Sequence, residues 1–374
     1  MYKLDLSKVD KVKNVHFEWA KLKAQKTIPS YLSDTEIAPL ESEFYALLYK
    51  SGDTTPLFKD LILGEPQDLR RLIKELETKH EDYVGALNAH RGVSKKTNNF
   101  DDYVDEDGKW KLLGKEFDKV DDFKKEIKAI HQRLKRVFSY DSLIRKKTVS
   151  EDLNTKNWSG YQFAYHLGAR VCVYCNRNYT VTLKVGKDGI VRPQLDHFYP
   201  KSMYPYLAIS LYNLVPSCST CNANLKLDKD MLDENHEDIY LHPYEDAICS
   251  EFRFDFKVER DVAVTKHFST IGPEDLSVSI LGLDANDKYQ KSVDLFKLKE
   301  LYELHKEEFS DIYNIVCSYS DSVFDEIEAS FEFDKEKMRK EFISNFRTAS
   351  PEKRSLGKAT NDLLDSMVKK QMVR

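Results

Sequence analysis

The 374-residue sequence predicts an α+β chain, predominantly helical, in which a small mixed centre lies between two helical regions. Three observations carry this. Apolar residues recur at steps of three and four in the first and last thirds. Strand-like alternation is confined to the middle and to a short stretch after it. The middle is framed by two Cys-x-x-Cys pairs, Cys172/Cys175 and Cys218/Cys221. The expected division is 1–150 mainly helical, 151–245 a cysteine-framed core, and 246–374 a small hairpin followed by helices.

The helical signal is clear in Phe44-Leu47-Leu48 and Leu69-Leu72-Ile73-Leu76. It recurs in the run from Phe117 through Phe123, Ile127, Ile130 and Leu134 to Val137-Phe138. Gly92–Trp110, rich in Asn, Asp, Lys and Gly, reads as an exposed loop. Trp158-Ser159-Gly160-Tyr161 leads into a short helix ending near Gly168. Tyr179–Val185 then alternates as a strand, Gly186-Lys187-Asp188-Gly189 is a turn, and Ile190–Leu195 is expected to return. Phe252–Val258 and Val262–Thr265 predict a second hairpin, to which Leu276–Leu281 adds a strand. From Asp287 the chain is helical again, with further helices over Ser320–Phe331, Lys335–Phe346 and Ala359–Met372.

A 41% hydrophobic fraction supports a folded core, and 32% charged residues argue against a membrane protein. There is no apolar run of roughly 18 residues, and the first residues show no apolar signal core. A cytoplasmic protein is therefore expected. The net charge of -5 conceals local contrast. Nine Lys and Arg residues fall between Lys124 and Lys147 against only Glu126 and Asp141, while 228–238 is acidic. A basic face of this kind can hold phosphates on a chain that is acidic as a whole. It is equally what a solvated helix face looks like.

Two cysteine knuckles can supply four thiolates to one tetrahedral zinc, a soft and closed ligand set that implies a structural ion. Such a site would close the Asn176–Ser217 excursion at its base. A thioredoxin-like redox pair is disfavoured, because one knuckle would suffice and no βαβ pattern surrounds it. The isolated Cys249 and Cys317 are expected to be buried small hydrophobes.

Inside the excursion stand Leu195-Asp196-His197-Phe198-Tyr199-Pro200-Lys201-Ser202 and Tyr212-Asn213-Leu214. It closes with Cys218-Ser219-Thr220-Cys221-Asn222 and Lys226. In order and spacing, Cys172–Lys226 resembles HNH endonucleases of the ββα-metal fold. The resemblance implies phosphodiester hydrolysis, with His197 as general base and Asn213 orienting it through a side-chain hydrogen bond. It places a catalytic magnesium or manganese ion on Asp196 and Asn222. Many family members carry histidine where this chain has Asn222; a neutral amide oxygen there suits magnesium. Lys201, Ser202 and Lys226 become candidate phosphate contacts, with Arg177 and Asn178 weaker ones. The family's lysine commonly lies three residues after the last motif residue, where Leu225 stands; Lys226 is one step later. His166 is expected to be structural, and His236 and His242 are spare ligands.

More loosely, the chain is similar to the HNH nuclease subunit of Septu-type bacterial anti-phage defence systems. That likeness implies DNA as substrate and an ABC-type ATPase as partner, since this chain has no Gly-x-x-x-x-Gly-Lys-Ser/Thr loop of its own. Two alternatives stand beside it: an inactive zinc adaptor that binds nucleic acid, and a nuclease directed at RNA. Joint retention of Asp196, His197, Asn213 and Asn222 favours an active enzyme, because a binding module needs none of them.

Overall fold

The computed structural model describes residues 1–95, 100, 103–246, 252–258, 271–319, 321–331 and 334–372. It is a mixed α/β fold, about 55% helical, with five two-stranded antiparallel sheets among the described residues. One continuous apolar core runs from Met1 to Met367 and includes side chains of the helical flanks and of the cysteine-framed centre alike.

The N-terminal part is built on α1 (Leu6–Leu32). The Asp5 carboxylate accepts from the Ser7 backbone N–H and so satisfies one of the helix's open donors. α1 buries Val9, Val12, His16, Ala20, Ala24 and Ile28 along one stripe. α2 (Pro39–Leu48), α3 (Pro56–Leu63), α4 (Pro66–Lys79) and α5 (Glu81–Lys95) follow, with a short hairpin of β1 (Tyr49–Lys50) and β2 (Asp53–Thr54) between α2 and α3. α6 (Val120–Val137) buries Phe123, Ile127, Ile130, Leu134 and Val137, at the helical spacing read from the sequence.

The expected loop over Gly92–Trp110 is shorter than its composition suggests. α5 continues to Lys95, Phe100 is buried, and Trp110 opens the hairpin of β3 (Trp110–Leu112) and β4 (Lys115–Phe117). Polar composition concealed these elements, because Phe100 and Trp110 pack on Phe123 and supply the apolar anchors. The basic run is also less available than its sequence implies. Arg133 binds the buried carboxylate of Glu41 and also Glu126, Lys125 pairs with Asp122, and Lys135 pairs with Asp141.

After α7 (Tyr140–Arg145), the centre begins with α8 (Gly160–Leu167). Ser159 caps its start, and Gly168, at φ 62°, ends it in the left-handed conformation that glycine adopts without strain. The expected return strand divides in two. β6 (Asp188–Val191) pairs with β5 (Leu183–Val185), whereas β7 (Gln194–His197) pairs with β8 (Leu214–Ser217). A π-helical segment over Thr220–Lys226 follows β8 directly.

In the C-terminal part, β9 (Arg253–Val258) pairs with β10 (Leu276–Leu281), so the strand expected as an addition is the hairpin partner itself. Val262–Thr265 lies outside the described residues. Among the described residues, six helices follow: α9 (Asp287–Leu295), α10 (Leu298–Glu303), α11 (Lys306–Ser318), α12 (Asp321–Phe331), α13 (Lys335–Phe346) and α14 (Gly357–Met372). No helix among the described residues is long and apolar enough to cross a membrane.

Candidate functional site

Each knuckle is a tight turn closed by its own backbone. The Asn176 N–H donates to the Cys172 carbonyl at 2.8 Å, and the Asn222 N–H donates to the Cys218 carbonyl at 3.0 Å. These turns bring all four sulfurs within 4.8 Å of one another, in buried surroundings. Four thiolates at zinc–sulfur distance on a tetrahedron would stand about 3.8 Å apart. The Cys175 and Cys218 sulfurs are 3.9 Å apart, and the Cys218 N–H points at the Cys172 sulfur from 3.3 Å. Burial pushes the Cys172 thiol up, while the hydrogen bond from Cys172 pulls Cys175 down to about 7. The cluster can therefore hold a metal such as zinc, whose charge would stabilise all four thiolates together. Cys317 is exposed, contrary to expectation, because its part of α11 faces solvent. Cys249 lies outside the described residues.

β7 runs beside this frame and carries Asp196 and His197 as consecutive residues. Consecutive strand residues face opposite sides, and the two side chains keep different company. Asp196 is 3% exposed. One of its oxygens accepts from the Tyr174 hydroxyl at 2.6 Å, and the other lies 3.3 Å from the Lys226 ammonium. Tyr174 sits between the two cysteines of the first knuckle, so the cysteine frame itself positions the carboxylate.

His197 is buried against Tyr140, whose ring meets it edge-on with centroids 4.5 Å apart. Its Nε2 lies 2.9 Å from the Ala208 carbonyl, an acceptor only. The proton must then reside on Nε2, leaving the lone pair on Nδ1. Burial, with lesser contributions from Lys201 and Lys226, holds the imidazole down to about 3. The ring is neutral at physiological pH.

Asn213 departs from its expected role. Its amide does not bond the imidazole. It accepts from the Tyr199 N–H at 2.7 Å and donates to the carbonyls of Tyr199 and Leu207, both at 3.0 Å. Asn213 thus braces both ends of the 199–207 loop, which presents Ala208 to His197, and its hold on the base is indirect. The carbonyl of Asn213 also receives the Phe198 N–H.

Asn222 is half-buried, and its amide nitrogen donates to Gln194 at the start of β7 rather than meeting Asp196. The carboxylate's neighbour on that side is Lys226, which is fully buried and also donates to the His197 carbonyl at 2.6 Å. Lys226 is therefore part of the interior of the site, not an outward phosphate contact. Lys201 is exposed and lies 4.4 Å above the Tyr140 ring. Ser202 is half-buried, and its hydroxyl has no partner. His166, in the last turn of α8, bonds the Ser150 carbonyl, and His236 pairs with Glu77. His242 packs on Phe198. Among the described residues, only the four cysteines form a cluster of metal-binding groups.

Tyr174, Tyr140, Ala208 and Gln194 belong to the site without having been singled out by sequence. Only Tyr174 carried a signal, its place inside a cysteine knuckle. No protein-family model, curated protein or solved structure matches the chain.

Proposed function

We propose that the chain is a metal-dependent nuclease of the HNH kind, with a structural zinc on Cys172, Cys175, Cys218 and Cys221. The observation that carries this reading is His197, a buried and neutral imidazole whose tautomer is set by the Ala208 carbonyl. Phosphodiester hydrolysis needs a base that takes a proton from the attacking water. Nδ1 of His197 carries the free lone pair for that role, and burial, which keeps the ring neutral, also makes it a weaker base than an imidazole poised near neutral pH. The residue is only 7% exposed, so little of it is open to solvent.

A magnesium or manganese ion bound beside it would offset the charge that develops on the phosphate in the transition state. Asp196 would hold that ion, since a carboxylate offers more lone pairs than Tyr174 and Lys226 use. Asn222 is fit to assist, because its hydrogen bond to Gln194 uses the amide nitrogen and leaves the oxygen. Lys226 and Tyr174 act as positioning residues that fix Asp196. DNA is the proposed substrate. An ABC-type ATPase partner in bacterial anti-phage defence is the proposed setting, resting on the likeness to Septu-type subunits alone.

A second reading, an inactive zinc adaptor, is favoured by one observation. Lys226 already offers Asp196 a positive charge, so the carboxylate is balanced without any ion. The test compares wild type with His197→Ala on plasmid DNA and on RNA, with magnesium, manganese or no added metal. The expected result is metal-dependent cleavage that falls by about 10²–10⁴-fold in the variant. Equal cleavage by both proteins would remove His197 from the chemistry. Failure of both on every substrate would favour the adaptor.

A further inference from the structure

A cavity of about 260 Å³, lined by two residues that touch His197, is not used by the hydrolytic reading. It opens between α5, α6 and the loop after β7. Two of its walls are shared with the candidate site: Tyr140, edge-on to His197, and Ala208, whose carbonyl holds Nε2. A third wall is the pair His90 and His131, whose rings are parallel within 3° and 3.8 Å apart. Burial holds His131 down to about 4 and lowers His90 as well, so this wall is an uncharged ring stack.

The polar groups are few and placed unevenly. Ser202 lines the cavity, but its hydroxyl is itself buried from it and has no partner, although it can both donate and accept. A buried hydroxyl of this kind is costly to leave unpaired. Lys135 and Lys201 stand on the lining with Asp228. A bare phosphate or carboxylate would find apolar walls and an acidic neighbour there. A heteroaromatic ring would find apolar walls that include the His90 and His131 rings, with Lys201 at the lining for the phosphates attached to it. The volume lies just below the roughly 300–1,000 Å³ of drug-sized sites, which fits one ring system.

We propose that this cavity receives an unpaired nucleobase of the nucleic-acid strand, adjacent to the phosphate presented to His197. The chain would then act on single-stranded or locally opened nucleic acid in preference to regular duplex, in which every base is stacked and paired. The inference rests on the nuclease reading for the identity of the strand as substrate, but binding in the cavity does not require cleavage.

The experiment uses the full chain without added magnesium or manganese, so that binding is read apart from cutting. Short DNA and RNA strands carrying one 2-aminopurine are titrated as single strands, as matched duplexes and with the probe base deleted; adenosine monophosphate is titrated alone. Ser202→Leu and His131→Trp fill the cavity from two sides, and thermal melting confirms that each variant is folded. The expected result is a fluorescence change for the unpaired probe and binding about tenfold or more weaker in either filled variant, the loss of one stacked base. Equal affinity for duplex and single strand, or wild-type binding by both filled variants, overturns the proposal. Free nucleotide binding as tightly as the strand also overturns it, in favour of an effector site. A chain that binds the unpaired base and never cleaves refutes the nuclease reading alone. One that cuts regular duplex at wild-type rate with the cavity filled refutes this inference alone.

Discussion

Lys226 and Asp196 form an ion pair with no solvent to replace either member: their side chains are 0% and 3% exposed. Two buried charges are costly together and far more costly apart. Lys226→Met leaves the carboxylate with Tyr174 as its one remaining side-chain donor and strips a donor from the His197 carbonyl. The expected loss is about 3–5 kcal/mol of stability, read from urea unfolding of the zinc-loaded protein. Asp196→Asn combined with Lys226→Met should recover part of it. If the double variant is as unstable as the two losses added, the groups do not act as a pair. The motif singles out Asp196, His197 and Asn213 in the sequence, because order and spacing survive as text, but not the role Asn213 takes in the loop. Their partners were not legible. The Ala208 carbonyl that sets the His197 tautomer is a backbone group eleven residues away, and no side-chain pattern marks it.

The segment after β8 shows how an element's winding decides which residue reaches a site. In Thr220–Lys226 the Leu227 N–H donates to the Asn222 carbonyl at 3.0 Å, five residues back. This i→i+5 winding absorbs one extra residue per turn. It brings Lys226, rather than Leu225, to the hairpin. The turn ends at Leu227 with φ 53° and ψ -129°, a conformation hostile to a residue with a Cβ, and the side chain is 59% exposed. Such strain costs about 1–3 kcal/mol, against about 0.5–1 kcal/mol for glycine's greater freedom when unfolded. Leu227→Gly should therefore raise stability by about 1 kcal/mol, visible as a higher melting temperature. A lower one would mean that the leucine makes contacts worth more than the strain.

α1 is tied to the connection between β7 and β8 by His16, which packs among the rings of Trp19, Trp158 and Phe163. Nδ1 accepts from the Trp158 indole N–H at 3.0 Å, so Nε2 carries the proton toward the Ile209 carbonyl at 2.7 Å. Burial holds this imidazole down to about 4. The unfolded chain protonates His16 near pH 6.5 and the folded chain does not. Stability from this residue is therefore fully present above pH 6.5 and is lost as pH falls toward 4, by up to about 3 kcal/mol. His16→Gln can keep both hydrogen bonds and cannot titrate. The urea midpoint of wild type should drop more steeply than that of the variant between pH 7 and pH 4.5; parallel curves would exclude His16 as a source.

At the scale of the whole molecule, the first knuckle is where the two ends of the chain meet. From the N-terminus, Tyr2 donates its N–H to the Val173 carbonyl and its hydroxyl to that of Val171. From the C-terminal part, the Tyr302 hydroxyl donates to the Cys175 carbonyl at 2.8 Å, and Phe296 stacks on Tyr174. Asn176, at φ 52°, turns its carbonyl to the Leu356 N–H and its side chain to Pro351 and Lys358. Asparagine adopts this left-handed conformation more readily than most residues, and the turn aims three groups at the start of α14. The periodicity of the flanking helices foretold their existence, but not that both would be anchored on a cysteine turn, since these bonds are long-range and mostly to backbone. Zinc on this turn would contribute roughly 10–16 kcal/mol of apparent binding energy, comparable to the 5–15 kcal/mol net stability of a typical domain. Removing the metal with a chelator, or substituting Cys172→Ser with Cys218→Ser, should therefore unfold more than the centre. Helical circular dichroism from both flanks should fall with it, in one transition that returned zinc reverses for the wild type. Amide exchange in 357–372 should lose protection together with 194–197. If the metal-free chain keeps its helical signal and melting temperature, the cysteines do not hold the fold together, and the two ends are joined by their apolar packing alone.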